Sequence, residues 1–315
     1  MPRRIGADIV SGRKAPPTAL ARGHRFVPVI AFAVATALLT VSAAAEIRVV
    51  GSDLLGPDFA RAVETFARHN DSTVRLDLRG SRPGVADLGA GRADVGLFLL
   101  PPGETPAGEG LTNRVIGYQV AVVVVPAASP LTQVTTAQLR GIFSATPGDT
   151  FTRWGELNLI GAWTARPIAL RALSPAAGLA WPLFQRVILA DASARPALEF
   201  AATPGDFTQR LLATDNSIGV TGQPVAELPG LKVLALAAGP SDPACGPTPE
   251  QVHRGSYPLR MPLYVMFRRT EAPGLQLFLK FLLSDEAAVA LAPASCLPLP
   301  LGVRNQLAFE LEEMR

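Results

Sequence analysis

The chain is poor in the side chains that do most enzyme chemistry. It has two cysteines, three histidines and three lysines in 315 residues. Two thiols without neighbouring histidines supply too few ligands for a structural zinc, which needs four. His24 lies in an N-terminal leader, and neither His69 nor His253 stands in a nucleophile or metal motif. No G-x-S-x-G elbow, H-E-x-x-H pair or phosphate-loop lysine motif occurs. These absences argue against an enzyme, and no cofactor is expected. Internal repeats, coiled-coil heptads and low-complexity tracts are missing too.

What is present first is a leader. Arg3, Arg4, Arg13, Lys14, Arg22 and Arg25 precede an uncharged apolar run over residues 26–45, which closes on Ser42-Ala43-Ala44-Ala45 before Glu46. A basic start, an apolar stretch and an A-x-A site are the parts of a secretory signal. A retained anchor is the alternative, since the run is about long enough to cross a bilayer. Cleavage near Ala45 and a periplasmic location are expected. The leader carries six basic residues and Asp8, a net of +5, which leaves −2 of the chain's formal +3 for residues 46–315. No basic stripe survives to recruit nucleic acid. Arginine carries nearly all the positive charge, a matter of composition rather than of a site. The 270 residues that follow the leader suffice for one large or two ordinary domains.

Along those residues, β-type and α-type patterns alternate. A short strand over 47–50 closes on Gly51-Ser52. A helix follows with Phe59, Val63, Phe66 and Ala67 on one face and Pro57 in its first turn. Val74, Leu76 and Leu78 alternate as in a half-buried strand. The turn from Gly80 to Gly84 and a short helix lead to an apolar run over 95–100. This repeated order predicts a parallel α/β sheet. Residues 101–110 read as a surface loop, and 120–125 as a strand buried on both faces. Thr135 and Gln138 have the spacing of a capping box. A strand over 168–170 leads to Arg171, and Ser174-Pro175 reads as an N-cap followed by a first-turn proline. Pro182 predicts that the next helix starts late or is kinked. Further strands are expected over 218–221, 233–236 and 263–267, and helices over 275–283 and 286–291, with Ser284 capping the second. Trp154, Trp163 and Trp181 read as packing residues, and Asp94 as structural. Cys245 and Cys296, an even pair in an exported chain, predict a disulfide over two independent thiols. A link between positions 51 apart typically adds about 2–4 kcal/mol.

Taken in order, the motifs resemble the phosphate-binding components of ABC importers, within the type II periplasmic binding protein superfamily. The resemblance spans essentially all of the chain after the leader. It is carried by Gly51-Ser52; by Gly80-Ser81 with Gly84; by Gly91-Arg92-Ala93-Asp94-Val95-Gly96; and by the apolar crossover at 122–126. Leu139-Arg140-Gly141-Ile142-Phe143 with Trp154-Gly155-Glu156-Leu157, Ser217-Ile218-Gly219-Val220, Tyr257-Pro258-Leu259 with Leu263-Tyr264, and Phe281 with Ser284-Asp285-Glu286 continue it. It implies a two-lobed α/β fold with doubly wound sheets and two crossover strands. Residues 46–123 and 257–315 would form one lobe and 124–256 the other. It also implies a small anionic ligand, an importer permease as partner, and a monomer.

In doubly wound sheets ligands sit beyond the carboxyl ends of the strands. That rule places Gly51, Ser52, Gly80, Ser81 and Ser174 at one cleft, with Arg171 as a two-donor fork for an oxyanion. The bland readings stand beside these: Ser174 as a plain cap, Ser52 and Ser81 as turn residues, and Arg82 as a surface charge. Two departures from the family bear on the ligand. Polar residues, often including an acid, close the family's third strand, where this chain has Leu97-Phe98-Leu99-Leu100. The family's Ser-Gly-Thr helix start is replaced by Ser174-Pro175-Ala176-Ala177-Gly178. Both favour a larger or less polar ligand than phosphate, unless the leucines are simply strand core. A degenerate binding domain that works by protein contact is the competing expectation.

Overall fold

The computed structural model describes residues 46–101, 104, 110–146, 148, 150–222 and 228–314. The leader over 1–45 and most of the 101–110 loop lie outside the described residues.

The chain begins its first sheet with β1 (Ile47–Gly51), β2 (Val74–Asp77) and β3 (Val95–Leu99). β1 is central and pairs in parallel with both of the others. Between them run α1 (Gly56–His69) and α2 (Ser81–Gly89). Pro57 sits in α1's first turn, where its missing N–H costs nothing. Phe59, Val63 and Phe66 fall three or four residues apart and are buried together. Each such side chain contributes roughly 1.5–3 kcal/mol by leaving water. At the base of the sheet Asp94 accepts from the Arg48 backbone N–H at 2.7 Å and from its guanidinium at 2.5 and 3.1 Å. Burial pushes the Asp94 carboxyl up, but these hydrogen bonds from Arg48 together outweigh it and hold the group below its ordinary value.

β4 (Leu111–Val120) is followed after a single residue by β5 (Val122–Pro126). The unbroken strand expected over 120–125 is therefore two strands. Ala121 is the point at which the chain leaves the first sheet for the second. β6 (Gln133–Thr135) runs into α3 (Thr136–Phe143), whose capping box is complete: Thr135 Oγ1 accepts from Gln138 N–H at 3.1 Å, and Gln138 Oε1 accepts from Thr135 N–H at 2.9 Å. β7 (Ala169–Leu173), α4 (Ala180–Val187), β8 (Glu199–Ala201), α5 (Pro204–Leu212), β9 (Ser217–Thr221) and β10 (Leu231–Val233) complete the second sheet, with strand order β10-β5-β9-β7-β8. α4 starts late, so Pro182 falls in its first turn and no kink is needed. β11 (Ala235–Ala237) pairs with β6.

After α6 (Pro249–Arg254) the chain returns through β12 (Arg260–Arg268), α7 (Ala272–Leu282), α8 (Asp285–Leu291), β13 (Cys296–Pro298) and α9 (Leu301–Glu312). Ser284 caps α8 by accepting from Ala287 N–H. The first sheet then reads β13-β4-β12-β3-β1-β2, with β12 and β13 antiparallel to their neighbours. This is the two-lobed α/β fold that the motif order implies. The two crossovers are bonded to each other: Tyr257 OH donates to Ala121 O at 2.8 Å, and Ala121 N–H donates to Leu259 O at 3.1 Å. Tyr257 is fully buried, which pushes its phenol far up. Among the described residues no helix is long and apolar enough to cross a membrane.

Candidate functional site

The cleft edge of the first lobe is built from backbone. Gly51 ends β1 so close to β3 that a Cβ there would lie 2.4 Å from Leu97 O. Ser52 N–H donates to the same Leu97 O at 2.9 Å, and Gly80 N–H donates to Gly51 O at 2.9 Å. Ser52 is buried, and its Oγ accepts from Leu54 N–H at 3.3 Å, capping a short turn over Asp53–Leu55 that delivers α1. Ser81 opens α2, and its Oγ accepts from Leu99 N–H at 3.1 Å, which ties that helix start to the end of β3. Gly51, Ser52, Gly80 and Ser81 are thus close together, but of these and Ser174 only Ser81 lines either of the two interlobe cavities.

In the second lobe Ser174 follows β7, and its Oγ accepts from Ala176 N–H at 3.3 Å, capping a turn over Pro175–Ala177. Its neighbours Leu173 and Ala177 face the cleft. Arg171 lies elsewhere. It leaves β7 on the strand face opposite the core residues Leu170 and Ala172. Its guanidinium donates to Leu170 O at 3.0 Å and pairs with Glu199 at 3.3 Å, while Nε is buried without a partner among the described residues. Arg171 lines neither of the two interlobe cavities.

Two cavities open between the lobes, and Leu179 at the start of α4 lines both. The smaller, about 180 Å³, lies between the start of α1 (Leu54 to Asp58), Gln119 and Ser295 on one side and Leu173, Gly178 and Gly222 on the other. Among the described residues neither α1 nor α4 carries a side-chain cap, so the positive ends of their dipoles face the cavity, although Pro57 and Pro182 each remove one N–H from those first turns. Asp58, in α1's first turn, is occupied by Arg61. Gln119 was not singled out by any sequence motif. It is 5% exposed, its Nε2 donates to Ala294 O at 3.0 Å, and its Oε1 is buried with no partner among the described residues. Turning the amide round would set two oxygens against each other, so the acceptor is the atom left over.

The larger cavity, about 550 Å³, is lined by Ser81, Arg82, Leu99, Leu100 and Met261 from the first lobe and by α4 residues including Pro182, Leu183 and Val187 from the second. The leucine run that closes β3 therefore does two things. Leu97 and Phe98 are wholly core, whereas Leu99 and Leu100 also face this cavity. Trp154 and Trp181 are buried in the second lobe's packing. Among the described residues no group of three His, Cys, Asp or Glu side chains is placed to hold a metal ion.

One expectation is corrected. Cys245 and Cys296 form no disulfide. Cys245 bridges Leu236 beside β11 in the second lobe, while Cys296 pairs with Gln119 at the edge of the first sheet. The topology thus puts the thiols on different sheets. Burial pushes the Cys296 thiol up to about 12.

A cleft between two α/β lobes joined by two crossovers, with helix starts converging on it, defines a class of periplasmic-binding-protein folds. The chain belongs to the PBP superfamily domain family, whose sequence profile matches residues 39–286. It is similar to the phosphate-binding protein PstS of Pseudomonas aeruginosa, 25% identical over 280 residues that cover 83% of this chain and 85% of that one. Several solved structures share the fold. A possible phosphate binding protein from Planctomyces limnophilus matches with a TM-score of 0.64 at 22% identity, over 86% of this chain and 99% of its own. PstS from Borrelia burgdorferi matches with a TM-score of 0.65 at 16% identity, over 81% and 99%.

Proposed function

We propose that this protein is an exported solute-binding protein that captures a small anion, of which phosphate is the simplest candidate, between its lobes and hands it to an ABC importer permease. In this reading the segment up to Ala45 is removed on export. Residues 46–123 with 257–315 and residues 124–256 are the two lobes that close on the ligand, as a monomer. The observation that carries it is the convergence of the α1, α2 and α4 starts on cavities lined from both lobes. The aligned peptide dipoles of helix starts favour negative charge there. The ancestry of the chain agrees, since the relatives it resembles are named for binding phosphate. A second reading, a degenerate domain acting by protein contact, draws on the leucines at the end of β3 and on the tie between Arg171 and Glu199. A thermal-shift screen against phosphate, sulfate, molybdate, tungstate, phosphonates and small carboxylates separates the two. A saturable rise in melting temperature with at least one anion is expected. A flat response across the panel would defeat ligand capture and favour the degenerate domain.

A further inference from the structure

We propose that the larger interlobe cavity takes an organic anion: a phosphonate, phosphate monoester or carboxylate carrying an apolar substituent of a few carbons. This rests on the solute-binding reading above and names the class of solute. Volume is the first argument. A water occupies about 30 Å³ of liquid, so a bare tetrahedral oxyanion would leave most of 550 Å³ empty. Pockets for organic ligands typically span about 300–1,000 Å³ and are mostly apolar with a few placed polar groups. The larger cavity falls in that range and the smaller, at about 180 Å³, does not.

The lining says where each end of such a ligand goes. Leu99, Leu100, Leu183 and Met261 are buried hydrophobic residues that meet across the cavity from β3, α4 and β12. They offer an apolar substituent a surface and offer a bare oxyanion nothing. The polar lining comprises Ser81 and Arg82 at α2, Gln185, Asp191 and the Arg186–Glu104 ion pair. Of its two cations Arg82 is the one that no carboxylate engages among the described residues, which puts the anionic end at α2. Ser81 Oγ already accepts from Leu99 N–H, so its hydroxyl proton is what it has left to give. Arg82 beside it makes no ion pair among the described residues. A guanidinium suits planar carboxylates and phosphonates alike, through paired donors.

Isothermal titration of the full chain with inorganic phosphate, methylphosphonate, butylphosphonate, butyrate and butanol tests this. Butylphosphonate or butyrate should bind at least tenfold more tightly than inorganic phosphate. Affinity should climb roughly fourfold per added methylene, the equivalent of about 0.8 kcal/mol. Arg82→Glu, at an exposed site, should cost at least tenfold, as should Val187→Asn at the cavity wall, with circular dichroism and melting temperature confirming that both variants fold. Phosphate binding as tightly as butylphosphonate, with no chain-length trend, would overturn the organic anion while leaving small-anion capture intact. Butanol binding as well as butylphosphonate, or Arg82→Glu without effect, would overturn the assigned head group. Silence from every probe would overturn this inference, and with a flat response across the full anion panel it would overturn ligand capture as well.

Discussion

The two lobes meet the cleft with the same device, a strand that ends in a serine-bearing turn, and build it in opposite ways. In the first lobe the turn after β1 is wedged against β3 and α2. Gly51 has no room for a side chain, and its carbonyl holds Gly80. In the second lobe the turn after β7 stands clear. A Cβ at Gly178 would meet nothing within 4 Å, and only that residue's φ of +150° calls for glycine. One edge is set by close packing of three backbones and the other by a local conformation. The first lobe's edge is therefore fixed from behind the cleft, while the second lobe's edge, which lines the smaller cavity at Gly178, can be rebuilt by mutation.

The sharpest way to break that contrast is Gly51→Ala. The new methyl would collide with a backbone carbonyl that cannot move without dragging β3, so a loss of about 3 kcal/mol is expected, at the upper end for overpacking. Urea unfolding would measure it. A loss below 1 kcal/mol would show that the first lobe's edge is as adaptable as the second's. Gly178→Ala should cost less, on the order of 1 kcal/mol, because it strains φ without a clash. A cost equal to that of Gly51→Ala would erase the distinction. The smallest effect is expected at Arg171. Since it is tied to Glu199 and lines neither cavity, Arg171→Ala should leave anion affinity within about twofold in the same titration. A tenfold loss would return Arg171 to the cleft and make the second lobe's edge the more demanding of the two.

The first lobe's edge was also the more readable in the sequence, for the same reason. Gly51-Ser52 and Gly80-Ser81 each follow a strand with a clear apolar pattern, and close backbone approach leaves glycine as its mark. Local grammar also gave α1 through Phe59, Val63 and Phe66, and α3 through its capping box. It gave neither β4 nor α9. β4 mixes Thr112, Asn113, Arg114 and Gly117 with apolar residues, and it is a strand because β12 and β13 flank it. α9 opens on Leu301 without a side-chain cap, and of its residues only Leu307 and Leu311 are buried. Gln119 and Met261 became site residues by the same route. They stand opposite each other in β4 and β12, a pairing that no local window contains. The thiols failed in the other direction: an even count suggested a partnership that the sheet assignment denies.

The strand order also fixes a sequence of events during synthesis. β4 is ten residues long and its only sheet neighbours, β12 and β13, are encoded after the whole second lobe. The second sheet, by contrast, draws all its strands from one uninterrupted stretch, residues 122–233. On a ribosome adding roughly 5–20 residues per second, β12 is made on the order of ten seconds after β4. The lobe encoded in the middle of the chain is the first that can be finished. Until β12 slides into the slot between β3 and β4, both edges of that slot are bare strand, of the kind that recruits other chains. The nascent polypeptide is thus most open to aggregation in the interval between completing one lobe and closing the other.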